Sequence, residues 1–295
     1  MADPQVFSLK GKNVAITGAA GSIGTQTALL FAKSGASTLL LSDVSSDALD
    51  KLHQTFRLNA PLPETRLIFH ACDVTDEKSV ADLIAQLDQF DGVDVMINNA
   101  GVFPTHVDGD AVGVDAEAWE LTHKVNVLGT WLGSKHAVLS MRRHHKKKGS
   151  IINISSVAGL VGSATAQLAY TASKGAVIAM TRELGIVHAR EGYRFNCVCP
   201  GPLNSPMLNE FLDAEDEPVE GVVAGSSRQM GRRERREIHL PQGRFGEPAE
   251  VAAASLFLAS DASAFVNSTE LVVDGGLTKV SPFAIINYAR ILPYG

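Results

Sequence analysis

The chain contains, near its start, Lys12-Asn13-Val14-Ala15-Ile16-Thr17-Gly18-Ala19-Ala20-Gly21-Ser22-Ile23-Gly24, an apolar run that ends in three spaced glycines. An amphipathic stretch follows to about Lys33, and Gly35 ends it. This order predicts a β-strand, a glycine turn and an α-helix. Glycines let the backbone approach a phosphate closely, and free N–H groups at a helix start can bind it. The stretch therefore indicates a dinucleotide-binding turn.

A second predicted strand, Ser37-Thr38-Leu39-Leu40-Leu41-Ser42, ends at Asp43. That is about the distance from the glycine turn at which an acid binds the adenosine ribose. A carboxylate there repels a 2′-phosphate, and no lysine or arginine lies in the glycine turn or directly after Asp43. We therefore expect NAD rather than NADP. An alternative role for Asp43 is to cap the helix predicted over 44–58.

Strands and helices alternate along the rest of the chain. Further strands are predicted over 66–72, 93–97, 150–154, 193–198 and from 270, with helices over 77–90, 115–143, 171–190 and 247–259. This rhythm is typical of an α/β fold, with a parallel sheet that helices cover on both faces. Ligands then bind at the carboxyl ends of the strands, where Gly18, Asp43, Asp73 and Asn98 fall.

Composition narrows the class of protein. With 295 residues and a net charge of −6, the chain can bury a large core and has no general attraction to nucleic acid or anionic membranes. Its basic run, Arg142 to Lys148, lies between a helix and a strand without interleaved aromatic residues, so we expect a solvated turn. No secretory signal or membrane span is predicted, and the expected location is the cytoplasm. Cys72, Cys197 and Cys199 are expected to be reduced, buried thiols.

Tyr170 and Lys174 lie four residues apart in Ala169-Tyr170-Thr171-Ala172-Ser173-Lys174, so in a helix their side chains share one face. A lysine charge about 4 Å from the phenol, at an effective dielectric near 20, stabilises the phenolate by up to roughly 4 kcal/mol. This would bring the pKa of Tyr170 towards neutrality. Such a phenol can give and take the proton that interconverts an alcohol and a ketone. Taken alone, the spacing also fits an exposed helical pair.

In combination, the motifs resemble the short-chain dehydrogenase/reductase family over nearly everything from Lys10 to Gly276. The matching motifs are Thr17-Gly18-x-x-x-x-x-Gly24, Asp73-Val74, Asn98-Asn99-Ala100-Gly101, Asn126, Asn153-Ile154-Ser155-Ser156, Tyr170-x-x-x-Lys174, Pro200-Gly201 and Asp274-Gly275-Gly276. Each motif is common, but their order and spacing together are highly specific. The resemblance implies a single-domain, doubly wound, seven-stranded parallel sheet of the Rossmann type.

The resemblance also implies a catalytic set and a nucleotide site. Tyr170 would give and take the proton, Lys174 would lower the pKa of Tyr170 and bind the nicotinamide ribose, and Ser156 would hydrogen-bond the substrate oxygen. Asn126 would hold a water that links Lys174 to solvent, although by itself it equally fits a satisfied core amide. No metal is expected. The residues expected to bind NAD are Gly18, Gly21, Ser22, Ile23, Gly24, Asp43, Asp73, Val74, Asn99, Ala100, Gly101, Tyr170, Lys174, Pro200, Gly201, Leu203 and Ser205.

Three positions depart from the family pattern. Ser22 stands where the family usually has glycine, and Ser205 stands where it usually has threonine. The spacing from Ser156 to Tyr170 is one residue longer than usual. Either the loop bulges by one residue or Val157 occupies the expected register; chemistry favours Ser156, with Ser155 the weaker choice.

Some segments are expected to surround the site. The region 203–240 has few apolar residues, an acidic half and a basic half, so we expect a mobile substrate-loop insertion within one domain spanning 1–295. His106, in the loop 102–114, is either a substrate contact or simply solvated. The resemblance implies a homo-oligomer, a dimer or tetramer, formed through the two long helices. The C-terminal tail, 280–295, then packs on a neighbour or beside its own site, or is a frayed terminus.

We therefore expect an NAD(H)-dependent oxidoreductase that interconverts a secondary alcohol and a ketone, with a small molecule as substrate. The first alternative is a related chemistry on the same scaffold, namely sugar epimerisation or enone reduction. Another is a non-catalytic protein that senses NAD, because a fold alone does not prove activity. Neither the loop 102–114 nor the region 203–240 contains a pattern that identifies the substrate.

Overall fold

The computed structural model describes residues 7–59, 65–162, 166–206, 208–209, 233, 237 and 240–280. Most of the region 203–240 and nearly all of the tail 280–295 lie outside these residues. The two expectations made for those segments therefore stay predictions.

Within the described residues, seven parallel strands form one sheet in the order β3-β2-β1-β4-β5-β6-β7. They are β1 Asn13–Ile16, β2 Thr38–Asp43, β3 Arg66–Ala71, β4 Val95–Asn98, β5 Gly149–Ile154, β6 Tyr193–Pro200 and β7 Glu270–Val273. The expected seven-stranded α/β sheet of the Rossmann type is confirmed. The strand order reverses between β1 and β4, which opens a crevice at their carboxyl ends where a ligand can bind.

Seven α-helices connect these strands within the described residues. They are α1 Ser22–Lys33, α2 Ser46–Leu58, α3 Glu77–Ala85, α4 Ala116–His123, α5 Gly129–Arg143, α6 Leu168–Val187 and α7 Pro248–Ala259. The single helix expected over 115–143 is in fact two helices joined by a π-helical turn, Lys124–Leu128. The helix expected from 171 begins earlier, at Leu168, which places Tyr170 in its first turn.

The alternation of side chains along the strands divides the core into two layers. Val14 and Ile16 of β1 pack in one apolar cluster with Phe31 of α1, whereas Ala15 packs in the other with Leu83 of α3. Successive side chains of a strand point to opposite faces, so each strand contributes to both layers. Helices α1, α2 and α7 cover one face, and α3 and α5 cover the other.

A buried polar network joins the strands at the centre of the sheet to the helices that flank the site. The Asn98 side-chain amide donates to Asn153 Oδ1 at 2.8 Å and to Ser134 Oγ at 3.1 Å. Asn153 Nδ2 in turn donates to Thr181 Oγ1 at 2.9 Å. Because buried amides are costly unless they are paired, this network fixes β4, β5, α5 and α6 in one arrangement.

Several helices begin with a polar residue that caps them locally. The side chains of Ser45, Asp76 and Asp115 accept backbone N–H groups at the starts of α2, α3 and α4. This is the usual way to satisfy donors that have no partner within the helix. Helix α6 is different: the side chain of Gln167, which precedes it, makes no capping hydrogen bond.

The basic run Arg142 to Lys148 is the solvated turn that was expected: it covers the end of α5 and the turn after it, and five of its seven residues are exposed. Arg142 forms two hydrogen bonds of 2.7 Å with Glu191, and Lys146 lies 2.9 Å from both Asp91 and Asp94. These acids neutralise much of the positive charge within the molecule.

Each of the three cysteines is a buried free thiol, as expected. Among the helices formed by the described residues, none is both long enough and apolar enough to span a bilayer.

Candidate active site

The carboxyl ends of the strands bring most of the predicted site residues to one edge of the sheet. The glycine turn follows β1, Asp43 ends β2, and Asn99 to Gly101 follow β4. Ser156 comes two residues after β5. In a parallel sheet these ends must lie side by side, so residues far apart in sequence meet.

Tyr170 and Lys174 lie on the same side of α6, as their spacing predicts. Lys174 Nζ is 5.5 Å from the centre of the Tyr170 ring. Lys174 is only 5 % exposed, and its ammonium donates to the backbone oxygen of Ile154 at the end of β5, at 3.0 Å. The cation is therefore held between the phenol and the sheet edge instead of reaching into solvent.

The environment of this pair corrects the electrostatic expectation. Burial raises the pKa of the Tyr170 phenol, and a hydrogen bond with Ser156 offsets only part of the rise. Burial also lowers the pKa of Lys174 to about 8. The expected shift of the Tyr170 pKa towards neutrality is thus wrong for the protein alone. That expectation counted the attraction between the two groups but left out the cost of removing each charge from water.

The structure also separates the two candidate serines. Ser155 Oγ donates to the backbone oxygen of Lys174 at 2.9 Å, so this hydroxyl fastens α6 to the sheet. The Ser156 hydroxyl instead lies near the Tyr170 phenol and lowers its pKa, and Ser156 Oγ accepts the N–H of Ala158 at 3.1 Å. Val157 begins a short 3-10 turn, Val157–Gly159, which forms part of the segment that connects Ser156 to α6. Among Ser155, Ser156 and Val157, it is therefore Ser156 that lies beside the Tyr170 phenol.

Asn126 lies in the π-helical turn between α4 and α5. Its Oδ1 accepts the N–H of Val102 at 2.8 Å, and its Nδ2 donates to Val102 O at 3.0 Å and to Ser173 Oγ at 2.9 Å. A Cβ on Gly101 would lie 3.3 Å from Asn126 Oδ1 and 3.4 Å from Lys174 Nζ, so Asn126 and the ammonium border the same small space. Asn126 is therefore a satisfied buried amide that also borders the site, and π-turns of this kind are frequent at functional sites.

The glycine turn has the form that a phosphate group requires. Gly18 has φ +60°, and a Cβ on it would lie 2.8 Å from Ala100 Cα; a Cβ on Gly24 would lie 2.3 Å from Gly18 O. A Cβ on Gly21 would meet only Gly18 O, at 3.4 Å, so the turn is open at that point. Gly21 caps α1 without a side-chain hydrogen bond, and the first turn of α1, which starts at Ser22, has no acidic residue. Its free N–H groups suit an anion.

Asp43 belongs to the glycine turn and is not the cap of α2. Its Oδ2 accepts the N–H of Ala20 at 3.2 Å, whereas the cap of α2 is Ser45, which accepts the N–H of Ala48 at 3.2 Å. The alternative role for Asp43 is therefore wrong. Its carboxylate lies beside the turn, where an adenosine ribose would be recognised.

The remaining predicted nucleotide residues fall into two groups. Asn99 stabilises the glycine turn itself, because its Nδ2 donates to Gly18 O at 2.8 Å and to Thr17 O at 3.1 Å. Ile23 lies in the first turn of α1, and the others lie at strand ends or within a few residues of them: Asp73, Val74, Ala100, Gly101, Pro200, Gly201, Leu203 and Ser205.

Two residues near Tyr170 were missed by reasoning from the sequence. The Phe103 ring lies 4.5 Å from the Tyr170 ring, centre to centre. The carboxylate of Asp108 accepts the N–H groups of Ala169 and Tyr170, both at 2.9 Å. Both come from the loop 102–114, more than sixty positions before Tyr170, so no local pattern could have indicated them. His106, the residue that was singled out in that loop, is exposed.

A sequence model for the family described as "Enoyl-(Acyl carrier protein) reductase" matches residues 18–278 of the chain. The chain belongs to the short-chain dehydrogenase/reductase family. It is 34 % identical over 268 residues to "Dehydrogenase/reductase SDR family member 6" of Rattus norvegicus, covering 91 % of this chain and 98 % of that protein. It is 35 % identical over 268 residues to "L-fucose dehydrogenase" of Bos taurus, covering 90 % and 89 % of the two chains.

Solved structures agree with this assignment. The crystal structure of levodione reductase superposes with a TM-score of 0.82 at 29 % identity, over 92 % of this chain and 100 % of the other. This short-chain dehydrogenase/reductase therefore has the fold of its relatives along nearly its whole length, and it is an oxidoreductase that uses a nicotinamide cofactor.

The buried lysine of this short-chain dehydrogenase/reductase predicts a pH-dependent stability. Its pKa is about 8 in the folded protein and 10.5 when unperturbed, so the folded state binds fewer protons between these values. The penalty for burying the ammonium is complete below pH 8 and disappears as the pH rises to 10.5. We expect Lys174→Met to be most stable relative to the parent protein at pH 7. This relative advantage should fall by up to about 3 kcal/mol by pH 10.5.

The measurement is urea unfolding of nucleotide-free protein at several pH values. The matched control is Lys33→Met, because Lys33 is an exposed residue in the last turn of α1. A Lys174→Met difference that does not change between pH 7 and pH 10.5 would show that burial does not lower the pKa of this lysine.

Proposed function

We propose that the protein is an NAD(H)-dependent oxidoreductase that interconverts a secondary alcohol and a ketone, with Tyr170 as general acid and base. The observation that supports this most directly is the contact between the Lys174 ammonium and the Tyr170 ring, at 5.5 Å. The pair lies at the sheet edge that also contains Ser156, Asn126 and the glycine turn. A phenol, a cation, a hydroxyl and an anion-binding turn in one crevice suit carbonyl chemistry beside a dinucleotide.

Each of the proposed catalytic residues has its own role. Bound NAD(H) supplies the chemistry of hydride transfer. The hydroxyl of Ser156 donates a hydrogen bond to the substrate oxygen, and Tyr170 gives that oxygen its proton in reduction or removes it in oxidation. Lys174 stabilises the phenolate form and binds the nicotinamide ribose. Asn126 holds the start of the loop 102–114 beside Lys174.

The raised pKa of Tyr170 sets an expected pH dependence for the two directions. At neutral pH the phenol is protonated, which suits its role as the acid in ketone reduction. Oxidation of an alcohol needs the phenolate, so its rate should rise with pH into the alkaline range. Binding of NAD(H) would bring further charge to the site, and a protonated Lys174 would favour the phenolate.

One alternative within the same family is enone reduction. The description of the matching family model names an enoyl reductase, which favours enone reduction as the second candidate. The names of two relatives, L-fucose dehydrogenase and levodione reductase, support cyclic alcohols and ketones instead. Turnover of cyclic polyols with NAD, compared with reduction of enones by NADH, separates the two candidates.

Tyr170→Phe should lower turnover by about a hundred-fold or more, because it removes the hydroxyl that carries the proton. The binding of NAD, measured by fluorescence titration, should stay within a few-fold of the parent value. Tyr193→Phe is the matched control, since Tyr193 begins β6 and its hydroxyl donates to Lys146 O at 3.2 Å. A Tyr170→Phe variant with the parent rate would refute the proton-transfer role.

The preference for NAD is proposed from the position of Asp43, whose carboxylate would repel a 2′-phosphate. We expect Asp43→Ala to lower the NAD-over-NADP ratio of kcat/KM by roughly ten-fold or more, because two like charges are no longer brought together. Asp47→Ala is the control: Asp47 is an exposed acid in the first turn of α2. An unchanged ratio in Asp43→Ala would contradict the assignment.

We also propose one catalytic domain over 1–295 and a homo-oligomer formed through α5 and α6. Both helices leave large apolar side chains exposed, including Trp131 at 42 %, Leu139 at 43 % and Ile186 at 69 %. Exposed apolar patches of this kind are typical of association surfaces.

Trp131→Glu should reduce the molar mass measured by light scattering towards that of the monomer, because it places a charge in the apolar contact. The control is Leu58→Glu, which changes an exposed leucine of α2 on another part of the surface. A parent protein that is monomeric at micromolar concentration would refute this assembly.

A further inference from the structure

The first turn of α6 is held by a distant loop and not by the residues just before it. Leu168 N–H donates to Gly109 O at 2.9 Å, and the next two N–H groups, of Ala169 and Tyr170, donate to Asp108 Oδ1 and Oδ2, also at 2.9 Å. The first donor with a local partner is Thr171, which bonds Gln167 O. Three successive donors of the helix start are thus satisfied by Asp108 and Gly109.

The carboxylate of Asp108 suits this position for two reasons. Both of its oxygens are used at once, one for each N–H, and hydrogen bonds to a charged acceptor are stronger than neutral ones. A negative charge at a helix start also interacts favourably with the helix dipole. Asp108 therefore caps the start of α6, as other polar side chains cap α2, α3 and α4. Unlike those caps, it lies about sixty residues before its helix in the sequence.

The same loop is also fastened at its beginning. Asn126 holds both the N–H and the C=O of Val102, and its Nδ2 also reaches Ser173 Oγ. Ser173 Oγ donates to the backbone oxygen of Tyr170 at 2.7 Å. The backbone N–H of Tyr170 is thus bonded to Asp108, and its backbone oxygen is linked through Ser173 to Asn126. Both connections lead to the loop 102–114.

The loop also covers the side chain that carries the proposed chemistry. Phe103, next to the fastened Val102, lies 4.5 Å from the Tyr170 ring and shields part of it from water. The position of this loop therefore helps to determine how far the phenol is buried. The titratable or charged groups that the described residues bring near Tyr170 are Lys174 on α6, Cys199 on β6 and Asp108 on the loop.

We propose that Asp108 is a positioning residue for Tyr170, whose carboxylate fixes the start of α6 and clamps the loop 102–114 against the phenol. This inference rests on the proposed function, in which Tyr170 transfers the proton. The negative charge of Asp108 at the helix start opposes formation of the phenolate and offsets the positive end of the helix dipole. Removing that charge therefore lowers the pKa of Tyr170.

The test compares Asp108→Asn, Asp108→Ala and Asp108→Glu with a control from the same loop. Asp110→Asn is that control, because Asp110 Oδ1 accepts the N–H groups of Val112 and Gly113 inside the loop. The readouts are kcat and KM for an alcohol with NAD, the pH profile of kcat, and a tyrosinate absorbance titration. In the titration, the same variant carrying Tyr170→Phe is subtracted, so that the signal reports Tyr170 alone.

We expect Asp108→Ala to lower kcat roughly ten-fold, because the phenol is no longer fixed at the reacting distance. Asp108→Asn should shift the Tyr170 titration and the acid limb of the oxidation profile to lower pH by about 0.2 to 0.7 units. Asp108→Glu keeps the charge but displaces it, so it should restore the pH profile and only part of kcat. Asp110→Asn should leave both measurements at the parent values.

Asp108 is refuted as a positioning residue if Asp108→Asn is folded and matches Asp110→Asn in both kcat and the Tyr170 titration. It is equally refuted if Asp108→Glu fails to restore the pH profile, because the charge then plays no part. Failure of the proposed function gives a different result: no alcohol is turned over, or Tyr170→Phe retains the parent rate. The absorbance titration needs no turnover, so it tests Asp108 in that case too.

Discussion

A buried ammonium beside a partly buried phenol is the feature on which the rest of this site depends. Lys174 donates to Ile154 O at 3.0 Å and lies 5.5 Å from the Tyr170 ring, while solvent reaches only 5 % of the lysine. Burying the charge lowers the pKa of Lys174 to about 8, and burying the phenol raises the pKa of Tyr170. Both pKa values therefore differ from those that the two groups have in water, which is common at functional sites. The surrounding structure must therefore hold both groups in place.

Many of the buried polar side chains hold the helix of Lys174 and Tyr170, or the neighbouring glycine turn, in place. Asn98, Asn153 and Thr181 connect the central strands to α6, and Ser155 fastens the backbone of Lys174. At the neighbouring strand end, Asn99 holds the glycine turn through the backbone oxygens of Thr17 and Gly18. Side-chain amides and hydroxyls are suited to positioning strand ends because their hydrogen bonds are directional. Apolar contacts alone would leave the strand ends less precisely placed.

The family resemblance and the physical argument contribute different things. The motifs identify the class of enzyme and the chemistry that its members share, and the fold agrees over nearly the whole chain. They do not indicate how this chain holds its own Tyr170 in position. The carboxylate of Asp108 at the start of α6 does that, and it comes from a loop outside the motifs.

The sequence alone determined the alternation of strands and helices, the glycine turn and the spacing that puts Tyr170 and Lys174 on one face, because these depend on neighbours a few residues apart. It could not determine the pKa of Tyr170, the choice between Ser155 and Ser156, the π-turn at Asn126 or the contact of Asp108 with α6. Each of these depends on burial or on hydrogen bonds between segments distant in sequence. Such contacts exist only once the sheet has brought its strand ends together.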